Sequence, residues 1–499
     1  MKKRSKLKWS AVGAGLLATS MLAPMAKGQS SEALMDALVR KGILTEQEAE
    51  DIKADVSKEN KQYNKWSFNK DGLEYKLYGD VRGRYEMFRT ENDAPGVGEP
   101  NKSRDRFRYR LRLGLTATFN ENFEAGFRLT SSEAQGTFGG DPISGNSTFQ
   151  DNASKKFVYL DTAYGKWTAL TNQVGTRGYF LSGTIGKMDN PFVFSDMVFD
   201  GDYTPEGLAL QGGYIFNDMH ALKMNAGLFV LDEIGQGALA SDDPMMWGFQ
   251  ARWDGNWVTD PAKFPKVAST VGVGWLGISE TDSLGNGTVP NVQAGNTRFG
   301  TNAAAGPIAV PGSTHAVVGN LANDFAPFVV DAAVTVTLEK FPMYPGNFPI
   351  RLGGEYMHNP RADDNETGWW GGVFLGKTGK RGTWELSYRY KKLEADAWYE
   401  EFVDSDFGAH YAVAPQSQNT STTAFGNASS VASGLGSGYR AGTGIQGHIV
   451  KVGYSLSDSV TIGATWFYTQ LIDEPSRALI GKDPESSQHR VQLDAIWKF

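Results

Sequence analysis

From Lys76 to its last residue the chain is written in period two, and this limits its fold more than any other feature. The clearest stretch lies within 106–119. Phe107, Tyr109, Leu111, Leu113, Leu115, Ala117 and Phe119 take one parity, and Arg106, Arg108, Arg110, Arg112, Thr116 and Thr118 take the other. Successive side chains of a strand point to opposite faces, so such a run is a strand with one greasy and one charged face. The preceding run has the same form, with Leu77, Gly79, Val81, Gly83, Tyr85 and Met87 set against Asp80, Arg82, Arg84 and Glu86. In a soluble sandwich the greasy faces would pack on one another and the arginines would meet bulk water. In a closed transmembrane barrel the greasy faces meet lipid and the arginines line enclosed water.

The connections between runs choose the barrel. About sixteen runs are present, and their linkers alternate between short and long. Asn120-Glu121-Asn122, Asn217-Asp218-Met219, 377–382 and Ser457-Asp458-Ser459 are short. Between them lie long polar stretches such as 131–155, 280–326, 394–446 and 472–488. The linkers near 254–266 and 340–347 are intermediate and go to the short side by parity. Short turns on one rim and long loops on the other belong to membrane barrels, and a sandwich has no reason to sort its loops this way. Mean hydropathy is −0.37, yet this does not argue against a membrane, because only every second strand residue faces lipid. No run beyond the N-terminal segment is long enough for a spanning helix.

That N-terminal segment reads as an export signal. Lys2, Lys3, Arg4, Lys6 and Lys8 precede the small, apolar stretch Ala11 to Ala23, and Ala26-Lys27-Gly28 fits a cleavage site, so residues 1–28 are expected to be removed. Taking away their six basic residues leaves 43 Lys and Arg against 56 Asp and Glu, and an acidic chain disfavours nucleic acid as a partner. The chain has no cysteine, which excludes disulfides and thiolate metal sites. Its six histidines accompany no Gly-x-Ser-x-Gly or His-Glu-x-x-His pattern, so neither an enzyme, a cofactor nor a metal is expected. Residues 29–70 are expected to form a short helical periplasmic leader. Ala33, Leu34, Ala37, Leu38 and Ile43 recur at helical spacing, and Thr45-Glu46-Gln47-Glu48 opens a second helix as a capping box. The barrel would then occupy 71–499.

The end of the chain is a strand as well. Val491, Leu493, Ala495, Trp497 and Phe499 alternate with Arg490, Gln492, Asp494 and Lys498. A strand that closes a barrel must keep its outward face to the end, because it pairs with the first strand and leaves no edge. Trp497 and Phe499 also resemble the assembly signal of outer-membrane barrel proteins.

The segment Ala37-Leu38-Val39-Arg40-Lys41-Gly42-Ile43-Leu44-Thr45-Glu46-Gln47-Glu48-Ala49 resembles the opening of the putative porin family. Gly186-Lys187-Met188-Asp189-Asn190-Pro191-Phe192 resembles the strand end at which many Gram-negative porins enter an inward-folding third loop. The resemblance implies an outer-membrane location, a general or weakly selective channel for small polar solutes and ions, insertion by the barrel assembly machinery, and often a homotrimer.

A passive pore needs a wet interior and a field across it. The loop from Asp189 to Glu206, between the fifth and sixth strands, is the expected constriction. It carries Asp189, Asp196, Asp200, Asp202 and Glu206, with Phe192, Phe194, Phe199 and Tyr203 between them. The opposing basic wall is expected from Arg82 and Arg84, from Arg106, Arg108, Arg110 and Arg112, and from Arg128 on the third strand. Acids held across water from guanidiniums would set up a transverse field. Selectivity for an anion or a sugar, and a barrel that does not conduct at all, are the alternatives.

Overall fold

A computed structural model describes residues 67–70, 73–91, 101–120, 122–134, 139–171, 177–217, 219–233, 243–258, 260, 262–284, 295–299, 301–302, 306–307, 320–408, 442–472 and 487–499. The expected signal and almost all of the expected leader therefore lie outside the described residues.

The period-two runs are strands, and sixteen of them make the wall. In chain order they are β1 (Leu73–Glu91), β2 (Asn101–Phe119), β3 (Phe123–Ser131), β4 (Val158–Leu170), β5 (Gly178–Lys187), β6 (Glu206–Ile215), β7 (His220–Val230) and β8 (Met245–Asn256). They continue as β9 (Lys266–Ser279), β10 (Phe328–Leu338), β11 (Phe348–His358), β12 (Thr367–Gly376), β13 (Trp384–Leu393), β14 (Ile445–Ser455), β15 (Val460–Leu471) and β16 (Ser487–Lys498). Each pairs antiparallel with the next, and β16 returns to β1 from Asp80↔Lys498 to Glu91↔Ser487. The sheet is a closed antiparallel barrel. Closure pairs the backbone of every wall strand on both sides, which a strand in lipid requires. All connections obey the expected parity. The two intermediate linkers, now 257–265 and 339–347, lie on the same rim as the short turns.

The faces sort as the alternation demands. Leu111 and Leu113, which a stacked pair of sheets would hide, are each 37% exposed, whereas Arg84, Arg108 and Arg110 are buried. Trp275, Trp466, Trp497, Tyr388 and Tyr454 are exposed on the outer face. The adjacent tryptophans of β12 split, with Trp369 exposed and Trp370 buried inside, where Arg389 lies 5.7 Å from its ring.

Two details finish the seam. Gly79 exchanges both backbone hydrogen bonds with Phe499, at 3.0 and 3.1 Å. Its missing side chain matters, because a Cβ there would meet the Arg112 carbonyl and would lie 2.7 Å from the Phe499 ring. Beyond Phe499 the lower edge of β1 would be bare, but Ser67–Lys70 pairs with Leu73 to Lys76 and covers it. These four residues were expected at the end of the helical leader. They are a strand instead, because an unpaired edge attracts the nearest extended chain.

Candidate functional site

The arginines gather on one side of the barrel interior. In the β1–β2 register Arg82 faces Arg110 and Arg84 faces Arg108, while Asp80 faces Arg112 and Glu86 faces Arg106. Like charges directly opposite one another are unfavourable in a sheet, and three neighbouring groups relieve them. Fully buried Glu86 takes Arg106, Arg490 at 2.9 Å, Arg84 at 3.4 Å and Arg108 at 3.8 Å. Asp80 takes Arg110 at 2.9 Å and Arg112 at 2.7 Å. Asn146, from the β3–β4 loop, accepts from Arg82 through Oδ1 at 2.6 Å and from Arg108 through its carbonyl at 3.2 Å.

The β5–β6 connection, 188–205, touches interior side chains on widely separated strands. Val193 exchanges hydrogen bonds with Gln250 on β8. Ser195 donates its backbone N–H to Glu355 on β11 at 3.1 Å. Asp196 is held by Arg389 on β13 at 2.6 Å and by Lys391 at 3.4 Å. The loop then returns to the arginine wall, where Asp202 takes Arg110 at 2.8 Å and Arg112 at 3.5 Å. Asp196 and Asp202 are thus in direct contact with bases on opposite sides and do not face the wall across water as expected. The Arg110 and Arg112 guanidiniums beside Asp202 hold its carboxyl below the usual range despite burial. Burial, with Asp202 and Asp404 near, pushes the Asp200 carboxyl well up.

Two expected members of the loop stand apart. Glu206 is the first residue of β6, where it pairs with Lys187 at 2.9 Å and is largely exposed, so it is not part of the loop. Asp189 is also exposed and meets Arg128 at 2.7 Å. Arg128 in turn pairs with Asp161 on β4 and sits diagonally across the β2–β3 pairing from Arg112.

A second inward segment, 394–408, escaped the sequence reading. Trp398, Tyr399, Phe402 and Phe407 are at most 3% exposed. The segment is sewn to the first loop by its backbone. Asp200 N–H donates to the Phe402 carbonyl at 2.7 Å and Asp404 N–H to the Asp196 carbonyl at 3.0 Å, while Trp398 Nε1 donates to the Val198 carbonyl at 3.0 Å. Phe199 stacks on Tyr203 and meets Trp398 edge-on, and these rings join Phe192, Met197, Phe229, Met246 and Met357 in one apolar cluster inside the barrel. The far end of the segment is charged. Asp406 takes Arg490 at 2.8 Å and Arg84 at 3.0 Å, and Lys391 takes Asp404 at 3.2 Å. A signal was available, since Ala395-Asp396-Ala397-Trp398-Tyr399-Glu400-Glu401-Phe402-Val403-Asp404 mixes acids and aromatics just as 189–203 does.

The joined loops stand between two cavities. One, of about 700 Å³, lies toward the long-loop rim and is bordered by Arg112, Asp202, Tyr203, Tyr399, Glu401 and Phe402. The other, of about 490 Å³, runs from Arg82, Asp196, Asp404 and Asp406 to Thr378 and Lys498 at the short-turn rim.

The part of the chain that carries the arginine wall, the 188–205 loop and its anchor on β8 is also the part with a known likeness. Residues 80–271 match the putative porin family. No curated protein matches the sequence. Among solved structures, OprB of Pseudomonas putida at high pH is similar at 10% identity and a TM-score of 0.43, covering 85% of this chain and 94% of that one. The outer membrane channel DcaP of Acinetobacter baumannii is similar at 11% identity and 0.40, covering 87% and 100%. Salmonella typhi OmpF in complex with daunomycin is similar at 10% and 0.41, covering 87% and 100%.

Proposed function

We propose that this porin-like barrel is an outer-membrane channel through which small hydrophilic solutes and ions diffuse. The observation that carries the reading is the inversion of its faces, with apolar side chains outside and a dense set of ionised groups around two cavities inside. A sixteen-stranded wall is wide enough for an aqueous channel, and an unobstructed one would leak large solutes. Loops 188–205 and 394–408, knotted together, would narrow it. The guanidiniums of Arg82, Arg84, Arg106, Arg108, Arg110 and Arg112 stay charged at any working pH and keep the passage wet. Short turns would face the periplasm and long loops the exterior. Export through residues 1–28, insertion by the barrel assembly machinery with Trp497 and Phe499 as its signal, and a homotrimer belong to the same reading.

Planar-bilayer recording of the refolded protein tests it. Discrete conductance steps are expected, and deletion of 192–203 should enlarge them and admit larger sugars. Absence of current from folded barrels would leave a structural or adhesive role instead. Replacing Arg108 and Arg110 together by Gln should move ion preference toward cations, because it removes two positive charges and takes a partner each from Glu86, Glu133, Asp80 and Asp202.

A further inference from the structure

The charges of the wall do not balance evenly. Of the seven guanidiniums contributed by β1, β2 and β16 to the site above, six have a carboxylate at ion-pair distance, and Arg82 has none among the described residues. Arg82 is 9% exposed. Its Nη2 is tied to Asn146 Oδ1 at 2.6 Å, its Nε is buried without an acceptor, and it borders the 490 Å³ cavity. Arg110 opposite and Arg84 beside it add like charge. A guanidinium cannot shed its proton to escape this position, and a sequestered charge without a partner is costly.

The carboxylates around the same cavity are already engaged. Asp196 is held by Arg389, Asp404 by Lys391, Asp406 by Arg490 and Arg84, Asp494 by Arg84 at 2.7 Å, and Glu385 by Lys451 at 2.7 Å. Lys498, at the other end of the cavity, also has no carboxylate at ion-pair distance among the described residues. The cavity is therefore a closed account of ion pairs plus two cations.

We propose that Arg82 and the cavity it borders form a resting site for a small oxyanion, the carboxylate or phosphate group of a permeating solute. The inference rests on the channel reading and adds a substrate class to it. The planar fork of a guanidinium fits such oxygens, and one cation at each end of the cavity draws the anion through. A single unpaired arginine holds an anion weakly enough to release it, which conduction requires.

The test uses the refolded full chain in planar bilayers, with inorganic phosphate and acetate as probes. The wild type should prefer chloride over potassium in a salt gradient, and a probe should reduce chloride current saturably. Which of the two probes acts at the lower concentration separates a phosphate site from a carboxylate site. Arg82→Gln should lose the block and several-fold of the anion preference. Arg82→Lys keeps the charge without the fork, so it should keep the preference and weaken the block, and it serves if the glutamine variant does not fold. A block and reversal potential unchanged in both variants would overturn the site while leaving the channel standing. No current from the wild type would remove the channel itself.

Discussion

Glu86 is the residue on which the arginine wall converges. It has no solvent exposure and four guanidiniums share it. Removing one side of a buried ionic group strands the other, at a cost of about 3–5 kcal/mol. Glu86→Gln is therefore expected to lower the denaturant midpoint of the refolded barrel clearly, while Glu91→Gln, at the exposed end of the same strand, should leave it unchanged. Acid acts at this scale too. Burial works against the Asp406 carboxylate, but Arg84 and Arg490 hold its pKa well below the usual range, and Asp202 is lowered in the same way. A depressed carboxyl contributes stability above its unfolded pKa of about 4 and loses it as pH falls further. Asp200, raised by burial, has the opposite sign and is at its most favourable in acid. The anchors that Asp406 and Asp202 make to the arginine wall are then released, and Asp200 replaces neither. Conductance should stay level from neutral pH down to about pH 4 and rise below it, as recordings across a pH series can check. The inward face of Arg82, Arg84 and Arg106 to Arg112 was legible from parity alone. Their partners were not, because Asp202, Asp406 and Asn146 come from loops, and periodicity says nothing about where a loop lands.

At the scale of elements, strands and turns were readable, and loops only in part. The 188–205 loop showed itself through acids set among aromatics between two strong strands. The 394–408 segment has the same composition but merges into the Ser-, Gly- and Asn-rich stretch that follows it, so its signal was averaged away. Glu206 was assigned to the loop because a charged first residue of a strand looks like the last residue of a loop. The structure makes the two loops one object, through Asp200 to Phe402 and Asp404 to Asp196. Deleting 395–407 should therefore enlarge single-channel conductance about as much as deleting 192–203. Deleting both should add little beyond either alone, since each leaves the other without its support.

For the whole molecule the decisive event is closure. The alternation and the loop parity announced a barrel of about sixteen strands, and the end of the chain announced where it shuts. The detailed seam was not visible. Phe499 meets Gly79, and Ser67–Lys70 covers the edge that β16 is too short to reach. Removing Phe499 takes away two backbone hydrogen bonds and a ring packed on Gly79. The truncated chain should refold with lower yield than the full chain, read as the fraction of unheated sample that migrates as a folded species on a gel, and Phe499→Ala, which keeps the backbone, should fall between them.

The knot of rings inside the barrel also has a thermal consequence. The wall is held by a continuous hydrogen-bonded ladder, whereas between the few hydrogen bonds that join the two loops Phe199, Tyr203, Trp398 and Phe402 pack ring on ring by excluding water. Contacts of that kind weaken on cooling. Chilling would thus slacken the obstruction while leaving its frame intact, and ion flow should decline less between room temperature and the cold than the thickening of water alone would impose.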